Sequence, residues 1–299
     1  MESREPASGN SDPPKGYLLI VGGSERLDKE LRLLRTYLQL CDQAPGRRDQ
    51  VIITAATGHP EALGGEYWRI FRELGWPNHL IHMPPLATRE QASDPGVAAL
   101  VAQAAGIWMT GGDQVDLVDI LQGTPVGDAM LTAYQEGAVV GGTSAGATAI
   151  GHPMIARGGG SGEVKPGEIR LHPGFGFTGS DMLIDTHFGR RGRFPRLVAA
   201  IAEHPTAVGI GIDENTALLV RPGTPDAEIL GSGVVYLIEN PTPPENWDPH
   251  HGMVGVTPLN LYTLREGHRY EIGARSAGAV APAGRDASSI THPDRVIHP

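Results

Sequence analysis

Short apolar runs alternate with amphipathic stretches through the first half of the chain. This alternation limits the possible folds more than any other feature. Residues 16–22 (GYLLIVG), 50–55, 80–83, 107–110 and 138–141 are compact and apolar enough to be buried strands. Between them, Leu27, Leu31, Leu34 and Leu38 recur at helical spacing, and Ala62, Tyr67, Ile70, Phe71 and Leu74 do so more loosely. Residues 115–121 and 129–136 form two further predicted helices. Strand, helix and strand in repetition imply a parallel sheet covered by helices on both faces. Beyond about residue 205 the pattern changes. Runs at 208–212, 216–220, 229–238 and 259–264 are separated by short turns, which predicts an antiparallel extension of the same sheet. The expected fold class is α/β: a mostly parallel, doubly wound sheet with helices on both faces and an antiparallel C-terminal extension. Residues 1–15 and 275–299 are rich in Pro, Ser, Gly and Ala and lack apolar periodicity. They are expected to be disordered tails around a single domain at 16–274.

Charge and composition remove several classes of function. A formal net charge of −10 repels phosphate, so no nucleic-acid partner is expected. No apolar run approaches the roughly 20 residues that span a bilayer, so no membrane partner is expected either. The first 15 residues are polar and contain no hydrophobic segment of the secretory kind, which predicts a cytoplasmic protein. Cys41 is the single cysteine, which excludes an internal disulfide and any site built from several cysteines. There is no His-Glu-x-x-His and no close cluster of His and carboxylates at ligand spacing, so neither metal nor cofactor is expected.

The strongest chemical signal is Gly141-Gly142-Thr143-Ser144-Ala145-Gly146-Ala147, which follows a predicted strand and precedes a stretch of small residues. Within it, Gly142 to Gly146 fits the G-x-S-x-G elbow of serine hydrolases. So tight a strand-to-helix turn needs small neighbours, and it lifts the serine above the carboxyl edge of the sheet. There the Ala145 N–H can face a developing oxyanion. A second turn, Thr110-Gly111-Gly112-Asp113-Gln114, also ends a predicted strand. In a doubly wound sheet ligands bind outside those ends, so Gly111 and Gly112 could bring further N–H groups towards Ser144. The same turn also reads as an ordinary connection in which Asp113 caps the next helix. Gly22-Gly23-Ser24-Glu25 is a similar but weaker signal, and it lacks the dinucleotide-binding glycine spacing.

A nucleophilic serine needs a base and a group that orients the base. Of 12 histidines, His187 stands out, because it ends an apolar run and directly precedes Arg190, Arg191, Arg193 and Arg196. Residues 209–212 run off a predicted strand into Asp213 and Glu214. A carboxylate there can orient an imidazole or cap a turn. With Glu214 as the orienter, the order along the chain is Ser144, His187, Glu214. The arginine cluster suits bidentate binding of a substrate carboxylate. A solvated basic face is the alternative, since Arg outnumbers Lys 21 to 3 in this chain.

The motifs TGGDQ at 110–114, GGTSAGA at 141–147, IDTHFGRRGRFPRL at 184–197 and GIGIDENTAL at 209–218, in that order, resemble the cyanophycinases of serine peptidase family S51. ITAATGHPE at 53–61 is also in place, and the likeness extends from the turn at Gly22 to about Val220. The resemblance implies a class I glutamine amidotransferase-like fold with serine in place of cysteine. It implies Ser144 as nucleophile, His187 as base and Glu214 as its partner. It further implies a substrate groove lined by Gln114, Asp185, Arg191, Arg193 and Arg196, and a homodimer. Such enzymes release β-aspartyl-arginine from cyanophycin, a poly-aspartate bearing arginine on each side-chain carboxyl. The family's glutamine before the histidine is Thr186 here. The substrate-binding set is therefore altered at that position, and a related β-aspartyl peptide becomes an alternative partner. The remaining readings are another amidase of the same fold and a non-catalytic binder of an acidic peptide or metabolite.

Overall fold

The computed structural model describes residues 13–159, 167–179, 181–224, 226–241, 258–272 and 280–282. In chain order the strands and helices begin with β1 (Leu18–Val21), α1 (Arg32–Cys41), β2 (Gln50–Ile53), α2 (Pro60–Glu73) and β3 (Ile81–His82). Next come α3 (Pro95–Ala102), β4 (Gly106–Met109), α4 (Gln114–Leu121), α5 (Pro125–Gln135), β5 (Val139–Thr143) and α6 (Ala145–Ile150). Then follow β6 (Met154–Arg157), β7 (Arg170–His172), β8 (Met182–Thr186), α7 (Phe194–Glu203), β9 (Val208–Ile212) and β10 (Thr216–Val220). The last are β11 (Asp226–Gly231), β12 (Val235–Glu239), β13 (Asn260–Leu264), β14 (His268–Glu271) and β15 (Val280–Pro282).

Nine strands form the main sheet in the order β15-β14-β11-β10-β1-β5-β4-β2-β3. From β1 to β3 every pairing is parallel, and from β1 to β15 every pairing is antiparallel. Strands β1, β2, β4 and β5 are buried on both faces, as the continuous apolar runs require. Along β1 the side chains alternate between two cores. Leu18 and Ile20 pack with Val118, Met130 and Ala147 from α4, α5 and α6. Leu19 and Val21 pack with Leu34, Tyr37, Tyr67, Phe71 and Trp108 on the α1 and α2 face. Each fully buried leucine or phenylalanine contributes about 1.5–3 kcal/mol relative to leaving it exposed. Local chemistry starts the helices. Asp94 and Thr124 accept N–H bonds at the N-termini of α3 and α5, each followed by proline at the first helical position.

The C-terminal strands divide differently from the expectation of one extended sheet. β10, β11, β14 and β15 do extend the main sheet antiparallel. However, β9, β12 and β13 join β8 in a separate four-stranded sheet ordered β13-β12-β9-β8, in which β8 and β9 are parallel. The single run expected at 229–238 breaks at Gly231-Ser232-Gly233, where Gly231 has φ +103° and ends β11. The chain turns there from one sheet to the other. A third core, with Leu183, Leu197, Ile201 and Ile238, packs α7 against this second sheet. Of the expected tails, 1–12, 275–279 and 283–299 lie outside the described residues. Val280–Pro282, within the expected C-terminal tail, instead pairs with β14 as an edge strand. Among the described residues no helix is long and apolar enough to cross a membrane.

Candidate active site

Strand order explains why Ser144 is the focus. It follows β5, whose neighbours in the sheet are β1 and β4. Each of these parallel neighbours ends in a glycine turn, Gly22-Gly23 after β1 and Gly111-Gly112 after β4. The hydroxyl therefore stands between two small-residue turns at the carboxyl edge. Ser144 has φ 54° and ψ −113°, and its side chain makes no capping bond to α6. Such a conformation costs on the order of 1–3 kcal/mol and persists only where the surroundings enforce it. The flanking glycines make room for it. A Cβ on Gly142 would lie 2.6 Å from the Gly146 backbone, and one on Gly146 would lie 2.4 Å from the Met109 carbonyl oxygen. The Ser144 N–H donates to the Val21 carbonyl at 3.1 Å, which ties the elbow to β1.

The second sheet supplies the other two groups. Because β8 and β9 are parallel and in register at Thr186 and Ile212, the residues just beyond their ends lie side by side. His187 is the first residue past β8 and Glu214 the second past β9. His187 Nε2 lies 3.0 Å from Ser144 Oγ, and His187 Nδ1 lies 2.7 Å from Glu214 Oε1. Arg190 Nη1 donates to the other Glu214 oxygen at 2.7 Å. Burial pulls the His187 imidazole below its ordinary pKa of 6.5. The hydrogen bond to Glu214 opposes that shift, while Arg191 and Arg193 reinforce it. For Glu214, burial works against the charge, but the bonds from His187 and Arg190 outweigh it and hold the carboxyl below its ordinary range.

The Gly22-Gly23 turn, a weak signal in the sequence, joins the sheets at this point. The Gly22 carbonyl accepts from His187 N–H at 2.8 Å, and the Gly23 carbonyl accepts from Asn215 N–H at 2.7 Å. Gly23 has φ +105°, and a Cβ there would lie 2.3 Å from His187 Cε1, so only glycine lets the imidazole seat. The next residues anchor the floor. Glu25 is buried, accepts from Thr143 Oγ1 at 2.6 Å, and also accepts from the Tyr67 hydroxyl. Five described non-glycine residues have left-handed φ: Ser24, Leu31, Ser144, His187 and Asn215. Four of them belong to the site or to the turns bonded to it.

The remaining expected residues fall into two groups. Gly111 is adjacent to Ser144, since a Cβ there would lie 3.4 Å from Ser144 Cβ. Gly112 has φ +146°, and Ala145 opens α6 beside the hydroxyl. Asp113 accepts from Val115 N–H and so does cap α4. Gln114 donates to the Ile155 and Ala156 carbonyls at 2.8 and 2.9 Å, fastening β6. Asp185 and Thr186 are buried on β8. The Asp185 carboxylate is fully engaged. It receives Arg193 Nη1 at 2.9 Å and Arg196 Nε at 2.6 Å, together with Arg196 Nη2 and its neighbour's N–H. Arg196 is buried and Arg193 half-buried, whereas Arg191 is exposed. A cavity of about 330 Å³ opens at Ser144 and His187, but Gln114, Asp185, Thr186 and the arginines do not line it. Besides the glycine turns at Gly23 and Gly111-Gly112, its walls include Ser24–Leu27, Thr57, Leu63 and Tyr67. The sequence marked only the Gly22–Glu25 turn, weakly, and the 53–61 motif that holds Thr57. Leu27, expected on the helical apolar stripe with Leu34 and Leu38, instead precedes α1 and is 77% exposed.

Known proteins share this arrangement of sequence. The family model described as peptidase family S51 matches residues 18–226. A cyanophycinase from Trichormus variabilis is 34% identical over 282 residues, which cover 92% of this chain and 91% of the relative. One from Synechococcus elongatus is 35% identical over 256 residues, covering 84% of this chain and 76% of the relative. A peptidase from an acI-B1 Actinobacterium, solved by crystallography, has the same fold, with a TM-score of 0.65 and 23% identity. That match covers 88% of this chain and 99% of the other. The strand-elbow-helix core and the motifs it carries thus lie within the matched region, and this chain belongs to peptidase family S51.

Proposed function

We propose that this serine peptidase works by acyl transfer through Ser144, His187 and Glu214. The observation that carries the reading is the continuous line of contacts, 3.0 Å from hydroxyl to imidazole and 2.7 Å from imidazole to carboxylate. Neutral His187 keeps its proton on Nδ1, bonded to Glu214, so Nε2 is free to accept the hydroxyl proton. Ser144 Oγ then attacks the scissile carbonyl. The N–H groups of Ala145 and of the Gly111-Gly112 turn receive the oxyanion, and one such donor is typically worth roughly 3–4 kcal/mol. His187 passes the proton to the leaving amine as the C–N bond breaks. Water, deprotonated by the same imidazole, releases the acyl group and restores Ser144.

The proposed substrate is cyanophycin, cleaved to β-aspartyl-arginine, because curated relatives bearing that activity's name align over most of this chain. Exposed Arg191 would meet its carboxylates, while Arg193 and Arg196, held by Asp185, shape the same flank with Gln114 and Thr186. One observation favours a second substrate. The Asp185 carboxylate is already neutralised by Arg193 and Arg196, and Thr186 is buried, so neither offers a free acid or amide to a substrate guanidinium. A different β-aspartyl peptide fits that constraint. The test is mass spectrometry of products from cyanophycin and from a panel of aspartyl peptides, with Ser144→Ala alongside. The variant is expected to lose at least about 10³-fold in kcat/KM. Turnover by Ser144→Ala at the wild-type rate overturns the mechanism, and turnover of only the short peptides selects the second substrate.

A further inference from the structure

We infer that the cavity between the Ser24–Leu27 turn and α2 is a second subsite, which holds the leaving-group half of the substrate. This rests on the Ser144 and His187 reading above. Two features of the fold separate the cavity from the arginine flank. First, beyond Thr143, Ser144, His187 and the Gly111-Gly112 turn, its walls come from the turns after β1 and β2 and from α2, on the sheet face that carries α1, α2 and the Tyr37–Trp108 core. Gln114, Asp185, Arg193 and Arg196 instead knit β8, α7 and β6 together beyond α6. A peptide that crosses the sheet edge at Ser144 must lie with one half on each flank. Second, the cavity is bounded by both Ser144 and His187. Whatever fills it lies within reach of the imidazole that must protonate the departing amine, so the cavity can hold the leaving group.

The lining sets the chemistry. Leu27 is 77% exposed, a large apolar side chain held at the rim, and Leu63 stands on α2 within the same cavity. Arg26 lies 5.3 Å over the Tyr67 ring and is paired with Glu66, so its stem extends the apolar wall while its charge is balanced. Ser24 and Thr57 add hydroxyls. Such a pocket suits a residue with an aliphatic stem packed between Leu27 and Leu63 and a polar tip turned to the hydroxyls. At about 330 Å³ it is at the lower end of ligand pockets, enough for a single such side chain.

The test uses the best-cleaved member of the cyanophycin and aspartyl-peptide panel, together with an analogue that has the same acyl half but ammonia as the leaving amine. Leu27→Ser is expected to raise KM for the full substrate about tenfold, with kcat changed less than twofold. This is the loss expected when a leucine no longer shelters apolar surface. The same substitution should leave KM for the ammonia analogue within twofold, and Leu27→Trp, which narrows the rim, should again penalise only the full substrate. Equal KM changes for both substrates, or none for either, overturn the proposal. Labelling of wild-type Ser144 by a small serine-directed phosphonate is the separate control. Absence of labelling there refutes the underlying triad rather than the subsite.

Discussion

Asp213 and Glu214 are neighbours, yet only one faces the imidazole. The register of β8 on β9 sets Thr186 opposite Ile212, and the left-handed Asn215 turns the chain so that Glu214 meets His187 Nδ1. The role proposed for Glu214 is tested by the pH dependence. His187 must be neutral to accept the hydroxyl proton, so kcat/KM should rise with pH through the imidazole pKa. Burial has lowered that pKa, so the midpoint is expected below 6.5. In Glu214→Gln the imidazolium loses its carboxylate. The midpoint is then expected to fall further, while plateau kcat drops by about 10⁴-fold, the loss found when a triad carboxylate is neutralised. A pH–rate profile of both proteins checks this, and an unchanged midpoint with unchanged kcat refutes the pairing. Ser144 and His187 were legible because their local surroundings are unusual: glycines around one, an apolar run and an arginine cluster beside the other. The choice between the two carboxylates was not legible from spacing, since it depends on a φ angle and on a strand register. Gly23 was equally hidden, because its requirement is the imidazole of a residue 164 positions away.

At the scale of elements, β8 and α7 are joined by a charge cluster rather than by apolar packing alone. Asp185 is completely buried at the end of β8 and receives Arg196 from the first turn of α7 and Arg193 from just before it. Removing one member of a buried pair leaves an unbalanced charge, at a cost of about 3–5 kcal/mol. Asp185→Asn is therefore expected to lower the unfolding free energy by several kcal/mol in urea titration. It should also lower kcat, because His187 follows this strand by two residues. Arg190→Ala, at a side chain 71% exposed, should change stability by less than about 1 kcal/mol. Equal stability losses for the two variants would contradict the structural role of Asp185. The sequence showed the arginines but suggested that they wait for a substrate anion. Their internal partner was not apparent because α7 and β8 are themselves weakly marked: the apolar run before His187 is short, and the helix begins inside the arginine cluster. The parallel strands were readable because burial on both faces demands uninterrupted apolar runs. Their division between two sheets was not, since a buried strand has the same composition in either.

Over the whole molecule, the site is the seam between the two sheets. Ser144 stands on the main sheet, while His187 and Glu214 stand on the second, and the chain crosses between sheets at Asn215 and again at Gly231–Gly233. Asp213 closes this seam. Its Oδ1 accepts from Gly189 N–H at 2.8 Å, in the turn that follows His187, and its Oδ2 accepts from Val234 N–H at 3.2 Å, where the chain enters β12. Glu214 bonds the ring while Asp213 holds the backbone that carries it. Asp213→Ala removes both acceptors and should cost about 1–2 kcal/mol, since the freed N–H groups are partly open to water. Its catalytic effect should be larger than that stability loss suggests. A shift of the His187 turn by a fraction of an ångström lengthens the 3.0 Å contact on which proton transfer depends. Asp213→Asn, which keeps one carbonyl acceptor, should recover part of both losses. Urea midpoints and kcat measured together decide the point. If Asp213→Ala unfolds earlier but turns over at the wild-type rate, the carboxylate only fastens the seam, and the alignment of the two sheets does not depend on it.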